Sequence, residues 1–213
     1  MVYAVRMMMA GLREQKKERT RQRISEVALR LFDERGYEAV TVNEIAEAAG
    51  VAKVTLFNYF PTKDCLVLDA VKDDTAAVVA GREEGQTPLD ALRAHFRGMS
   101  RQDDGEMDVE GMLTRVRVIS ASPALLAGVH QTHMGQRYEL AAALSEAMPG
   151  LGLAAQLMAG QITATITTLQ EVFFHRLSTG VPLEEAARPL ADEVELAFDL
   201  LEHGFSSLEG HKS

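Results

Sequence analysis

The chain has 213 residues, 46% of them hydrophobic and 25% charged, with a formal net charge of −9. That composition supports a folded core of useful size and excludes a chain that stays disordered. A single cysteine, Cys65, excludes an intrachain disulfide and a cysteine-ligated zinc cluster, and no apolar run is long enough to cross a bilayer.

The charge is unevenly spread. Residues 1–65 carry 11 Lys and Arg against 9 Asp and Glu, whereas the remainder carries 11 against 22. Within the first 23 residues there are 7 basic and 2 acidic side chains. A basic arm on an acidic body fits an anionic partner, nucleic acid foremost, and fits a solvated tail equally well. The opening stretch MVYAVRMMMAGLREQKKERTRQR lacks the apolar core of a secretory signal, so the chain is expected to stay in the cytoplasm. Met1, Met7, Met8 and Met9 leave the start open.

In chain order, the first clear helical pattern covers residues 18–35, with Ile24, Val27, Ala28, Leu31 and Phe32 on one stripe and Gly36 as its stop. Thr41 followed three residues later by Glu44 has the spacing of a capping box, opening a short helix that turns Ile45 and Ala48 or Ala49 inward and ends at Gly50. VAKVTLFNYF, residues 51–60, is the third helix, closed by Pro61. Thr62 is expected to cap a long fourth helix through Leu66, Leu68, Val71 and Val78. GREEGQ is a break, and Thr87-Pro88 starts a helix reaching about Met99. RQDDGEMD reads as an acidic linker whose spacing is wrong for a calcium loop. Further helices are expected at residues 109–120, 123–147, 153–178 and 183–205, with MPGLG and STGVP as punctuation. Alternating strand patterns are absent, so the fold is expected to be all-α.

Two short helices joined across Gly50-Val51-Ala52 form a helix-turn-helix pattern, in which the second helix enters the major groove of DNA. Val51, Leu56 and Phe60 can anchor it inward, leaving Lys53, Thr55, Asn58 and Tyr59 on or near the outer face. Lysine meets phosphate or guanine, threonine offers a hydroxyl and a methyl, and asparagine reads adenine. A helical corner in another α-protein has the same spacing, and on spacing alone both readings stand.

The stretch ERTRQRISEVALRLFDERGYEAVTVNEIAEAAGVAKVTLFNYFPTKDCLV resembles the N-terminal domain of the tetracycline-repressor (TetR) family of transcriptional regulators. The resemblance spans residues 19–67, under a quarter of the chain, and includes the LF-x-x-x-G helix end, T-V-x-x-I-A-x-x-A-G-V and L-F/Y-x-Y-F-x-x-K. It implies residues 1–18 as a basic arm, 19–65 as a three-helix DNA-binding domain, and 66–213 as a helical ligand-binding and dimerisation domain reached through a long helix. It also implies a homodimeric repressor on a palindromic operator, released by a small-molecule ligand, with no cofactor. Thr41 then falls on a phosphate position, Lys53, Val54 and Thr55 on positions that approach bases, and Asn58, Tyr59 and Lys63 on backbone-contacting positions. Arg19, Arg21 and Arg23 resemble an arm that contacts flanking DNA. Phe57 departs from the pattern, because many members carry there a tyrosine whose hydroxyl reaches phosphate.

Beyond residue 67 the patterns are less specific. A seam between subunits is expected from Leu157, Ala164, Phe173, Leu190, Val194, Ala197 and Leu201, on helices buried on two faces that also serve the subunit's own core. Candidates for a ligand pocket, by position alone, are Met112, Val116, Ile119, Leu126, His130, Met134, Tyr138, Gln161, Thr165 and Thr168. His130 and His133 have a zinc-compatible spacing but no third ligand, so no metal site is expected. With no phosphate loop and no nucleophile elbow, the sequence does not read as an enzyme.

Overall fold

The computed structural model describes residues 2–101 and 108–204, with side chains described for 15–100 and 108–204. Most of the RQDDGEMD segment, the side chains of the first residues of the basic arm, and Phe205 therefore lie outside the described residues. The described residues are helical, with no strand among them. Two compact units divide the chain: Met1–Val71 with Glu110–Val129, and Lys72–Val109 with His130–Ser213.

In the first unit, α1 (Val2–Arg35) presents Ile24, Ala28, Leu29 and Phe32 to a core that α2 (Val42–Ala48) and α3 (Lys53–Tyr59) complete. Leu29 joins the expected stripe, while Val27 and Leu31 pack at its edge. Gly36 ends α1 at a φ of 84°, its N–H donating to the Phe32 carbonyl. Leu56 and Phe60 reach the same core, as do Leu66, Val67 and Leu68 of α4 (Cys65–Leu68).

The fourth helix is shorter than the sequence suggested. After α4 the chain tightens into a 3₁₀ turn at Asp69–Val71 and breaks before α5 (Thr75–Ala80). Asp73 is the physical reason: its Oδ1 accepts from the Thr75 backbone N–H at 3.1 Å and from the Thr75 hydroxyl at 2.7 Å. Those bonds offer the backbone an alternative to continuing the helix. Nor does Thr62 cap α4, for its hydroxyl lies 3.0 Å from the Cys65 sulfur and Asp64 is the N-cap.

The segment Glu110–Val129 closes the first unit, with Val118 and Leu125 in its core. It comes from α7 (Val109–Ala121) and the first turns of α8 (Pro123–Ala147). The Ser122 hydroxyl donates to Glu38 at 2.6 Å and accepts from the Leu125 N–H at 3.3 Å. Arg117 forks onto Asp33 at 3.2 and 3.1 Å. Gly128 permits close approach, since a Cβ there would stand 2.6 Å from the Leu68 side chain.

The second unit gathers Val79 of α5, Leu92 of α6 (Pro88–Arg101), and Leu140 and Leu144 of α8 around α9 (Leu153–Ser178). Thr87 caps α6, accepting from the Asp90 N–H at 3.1 Å. The expected last helix is two: α10 (Leu183–Ala187) and α11 (Leu190–His203). Pro189 separates them, since it has no N–H to donate and its ring clashes with the preceding turn. Val194, Ala197 and Phe198 of α11 are buried in this unit's own core. Arginine–carboxylate pairs hold the surface: Arg93 meets Asp199 at 2.7 Å, and Arg176 pairs with Glu193, whose carboxyl it holds below the usual range. Among the described residues, no single helix is long and apolar enough to cross a membrane.

Candidate nucleic-acid interface

The turn between α2 and α3 is set by local chemistry. Thr41 accepts from the Glu44 N–H at 3.3 Å while Glu44 accepts from the Thr41 N–H at 2.8 Å, completing the capping box. The Thr41 hydroxyl also donates to Glu44, and Arg35 adds a 2.6 Å contact. Together, with the Thr41 hydroxyl first, these bonds hold the Glu44 carboxyl at about 2. At the other end of α2, the Gly50 N–H donates to the Glu47 carbonyl at 3.0 Å and the Val51 N–H to the Ala46 carbonyl at 2.9 Å. That pair of bonds is a Schellman ending, which needs a left-handed residue between them; Gly50 has φ 63°. Val51 then packs on the core and α3 begins two residues later.

On α3, Leu56 is fully buried and Tyr59 packs at the core edge, while Lys53, Val54, Phe57 and Asn58 are exposed. Thr55 is half-buried, lying between the two faces. Phe57 does not enter the core: the residue is 39% exposed, with the Lys53 ammonium 5.9 Å from its ring centroid. Thr41 is exposed at the start of α2.

Two of the basic residues expected to meet DNA also have partners within the unit. Arg21 donates to the Tyr59 carbonyl at 3.0 Å and to Asp69 at 2.5 Å, with its guanidinium 4.6 Å above the Phe60 ring. It is a staple between α1 and the end of α3, a role that only the partners 38 and 48 residues away reveal. Lys63 donates to the Tyr37 carbonyl and lies 4.2 Å from the Tyr37 ring, and burial pushes its ammonium down. Burial, with Asp64 and Glu38 nearby, raises the Tyr37 phenol to about 12. Arg19 and Arg23 remain exposed on α1. The unit thus presents a short helix on a fixed turn, its outer face carrying Lys53, Val54, Phe57 and Asn58.

Residues 24–70 match the family model of bacterial regulatory proteins of the tetR family. The N-terminal part of the chain thus carries a tetR-type domain. Among its relatives is the transcriptional regulator TcmR of Streptomyces glaucescens, 38% identical over 124 residues that cover 55% of either chain. The transcriptional repressor KstR of Rhodococcus jostii is 26% identical over 187 residues, covering 87% of this chain and 83% of KstR. Across TcmR and two further curated relatives, the match spans only 55 to 62% of the relative's length. The solved complex of SmeT with triclosan shares the fold, with TM-score 0.52 and 17% identity over 85% of this chain and 89% of that one.

The helices beyond residue 70 were less legible. Of the expected seam residues, Phe173, Val194 and Ala197 are buried within the second unit, Leu190 and Leu201 are half-buried, and Leu157 and Ala164 are exposed. Of the pocket candidates, Leu126, His130, Tyr138, Gln161 and Thr168 are exposed, while Met112, Val116, Ile119, Met134 and Thr165 are half-buried. None of the ten lines the open cleft of about 440 Å³ beside Asp74, Val78, Arg82, Gln86 and Ala91. The guanidinium of Arg82 there is occupied by the carbonyls of Val79, Gln86 and Ala147. Sequence reading missed Gln136, which is 7% exposed on α8 with no hydrogen-bond partner for either amide atom among the described residues. Its signal was available: a polar residue at a position one turn before Leu140 on the inward stripe.

Proposed function

We propose that this chain is a homodimeric, cytoplasmic, DNA-binding repressor that sits on a palindromic operator and is released by a small-molecule ligand. The observation that carries the reading is the α2–Gly50–α3 turn, which presents a solvent-facing recognition helix on a buried Leu56 and Phe60 anchor. In this reading α2 crosses the DNA backbone and α3 lies in the major groove, with Lys53, Val54 and Thr55 approaching bases. Thr41, Asn58 and Tyr59 face phosphates, while Arg21 and Lys63 hold α3 and its following loop in place for that contact. Arg19 and Arg23 extend the basic surface toward flanking phosphates.

The partner for dimerisation is a second copy of the chain, docked on α9. Leu153, Leu157, Ala164 and Val172 run along its exposed side, with Leu157 60% exposed, and Leu196 of α11 adds a further exposed apolar side chain. Such a stripe on a helix whose opposite face is already core suits helix-on-helix packing between subunits. The ligand is an organic molecule that pairs its own donor and acceptor with the Gln136 amide. Leaving that amide unmet costs on the order of 1–3 kcal/mol, and a ligand that satisfies it selects the conformation in which it binds.

The test is enrichment of the purified chain against random duplex DNA at near-physiological salt. A palindromic consensus bound by two chains, with affinity falling steeply as salt rises, is expected. Binding without any sequence preference would contradict the repressor reading.

A further inference from the structure

The outward face of α3 has an apolar centre. At about 100° per residue, Val54 and Phe57 lie within about 60° of each other, on the side turned away from Leu56. Lys53 and Asn58 flank them, one at each edge of the same face. Val54 is 72% exposed and Phe57 39% exposed, so neither is part of the unit's own core. A surface that only meets water gains nothing from two large apolar groups side by side. Such a pair gains when something apolar covers it. Phe57 has no hydroxyl and can neither donate to nor accept from a phosphate or a base edge. The Lys53 ammonium, 5.9 Å from the Phe57 ring, sets a positive charge against this apolar pair and suits a polyanionic partner that has apolar groups between its phosphates.

In the major groove the apolar group on offer is the thymine C5-methyl. We propose that Val54 and Phe57 form a thymine-methyl reader, so that each operator half-site carries two thymines beneath them. This rests on the repressor reading and adds the chemical identity of the bases read. Side chains three apart on a helix have Cβ atoms about 5–6 Å apart, and the DNA rise is about 3.4 Å per base pair. The two thymines therefore lie one or two base steps apart. Discrimination comes from burying methyl groups, with Lys53 and Asn58 supplying the flanking polar contacts.

The experiment replaces each thymine of the selected consensus with uracil, which removes only the C5-methyl. Affinity is measured for the full chain and for its Val54→Ala, Phe57→Ala and Phe57→Leu variants, with a thermal melt of each variant as a check of folding. For the unaltered chain, uracil at the two read positions is expected to weaken binding by about fourfold per methyl. Phe57→Ala is expected to bind thymine and uracil duplexes alike at one position, Val54→Ala at the other, and Phe57→Leu to retain the preference. Equal affinity of the unaltered chain for thymine and uracil at every position, with site-specific binding intact, would overturn the methyl reader and leave the repressor reading standing. Failure of the unaltered chain to select any duplex would overturn both.

Discussion

The two units of this chain use short and long helices for different ends. In the first unit, α2 and α3 have seven residues each, too few to be stable alone, and their geometry comes from caps, a left-handed glycine and staples drawn from distant residues. In the second, α9 runs for 26 residues, buries Ala155, Ala159, Ile162, Ile166 and Phe173, and still has apolar side chains left on its outer side. A short helix fixed at both ends presents a small number of side chains in defined places, which is what reading bases requires. A long helix with two apolar faces presents area, which is what subunit association requires. The difference separates orientation from adhesion.

The largest effects should come from the two cores. Phe198 and Leu56 are fully buried, one in each unit. Phe198→Ala is expected to cost about 3–5 kcal/mol and Leu56→Ala about 2–5 kcal/mol in denaturant unfolding. Only the second strikes the anchor of α3 directly, so at temperatures where both variants remain folded it is expected to lose more operator affinity. Equal losses would blur the comparison. Next comes Leu157→Glu on the exposed side of α9. It is expected to leave the melting temperature nearly unchanged, to convert dimers to monomers in sedimentation, and to weaken operator binding on the order of tenfold or more. A dimer that survives it would move the seam elsewhere.

Gly50→Ala should act on orientation alone. Nothing lies within 4 Å of the added Cβ, so its cost is that of the left-handed backbone, about 1–2 kcal/mol. Operator binding is expected to fall by more than the loss in stability explains, because the turn aims α3. The smallest effect is at the cap. Thr41→Ala is expected to cost about 1 kcal/mol near neutral pH. In the folded chain the Glu44 carboxyl is lowered from 4.5 to about 2, so the capping box contributes fully above pH 4.5 and loses its contribution as pH falls toward 2. The difference in stability between the parent chain and Thr41→Ala should therefore shrink over that window. A difference that is flat with pH would mean that the Glu44 carboxylate is not what the cap relies on.

Sequence reading fared differently in the two units for the same physical reason. The capping box and the Gly50 turn were legible because their partners lie within a few residues, and the inward side of Leu56 because its spacing with Val51 and Phe60 marks one face of α3. The break after α4 was not, because Asp73 reads as one more acidic residue until its bonds to Thr75 are seen. Pro189 was visible, but the apolar stripe across it suggested one helix where there are two. Arg21 and Lys63 were expected at DNA from the family resemblance, and their second role as staples was hidden because the partners are 26 to 48 residues away. Val194 and Ala197 show the limit of periodicity, which marks a face as apolar without saying whether the chain itself or a second copy covers it.

The central claim is that α3 reads the major groove. Asn58 is exposed on its outer face, and Cys65, the chain's one cysteine, is half-buried. In a Cys65→Ser background, Asn58→Cys can carry a tethered iron chelate that cuts nearby DNA strands. The account predicts cuts confined to the two half-sites of the selected consensus, symmetric about its centre. Tight binding to that consensus with cuts absent, or placed outside both half-sites, would contradict it.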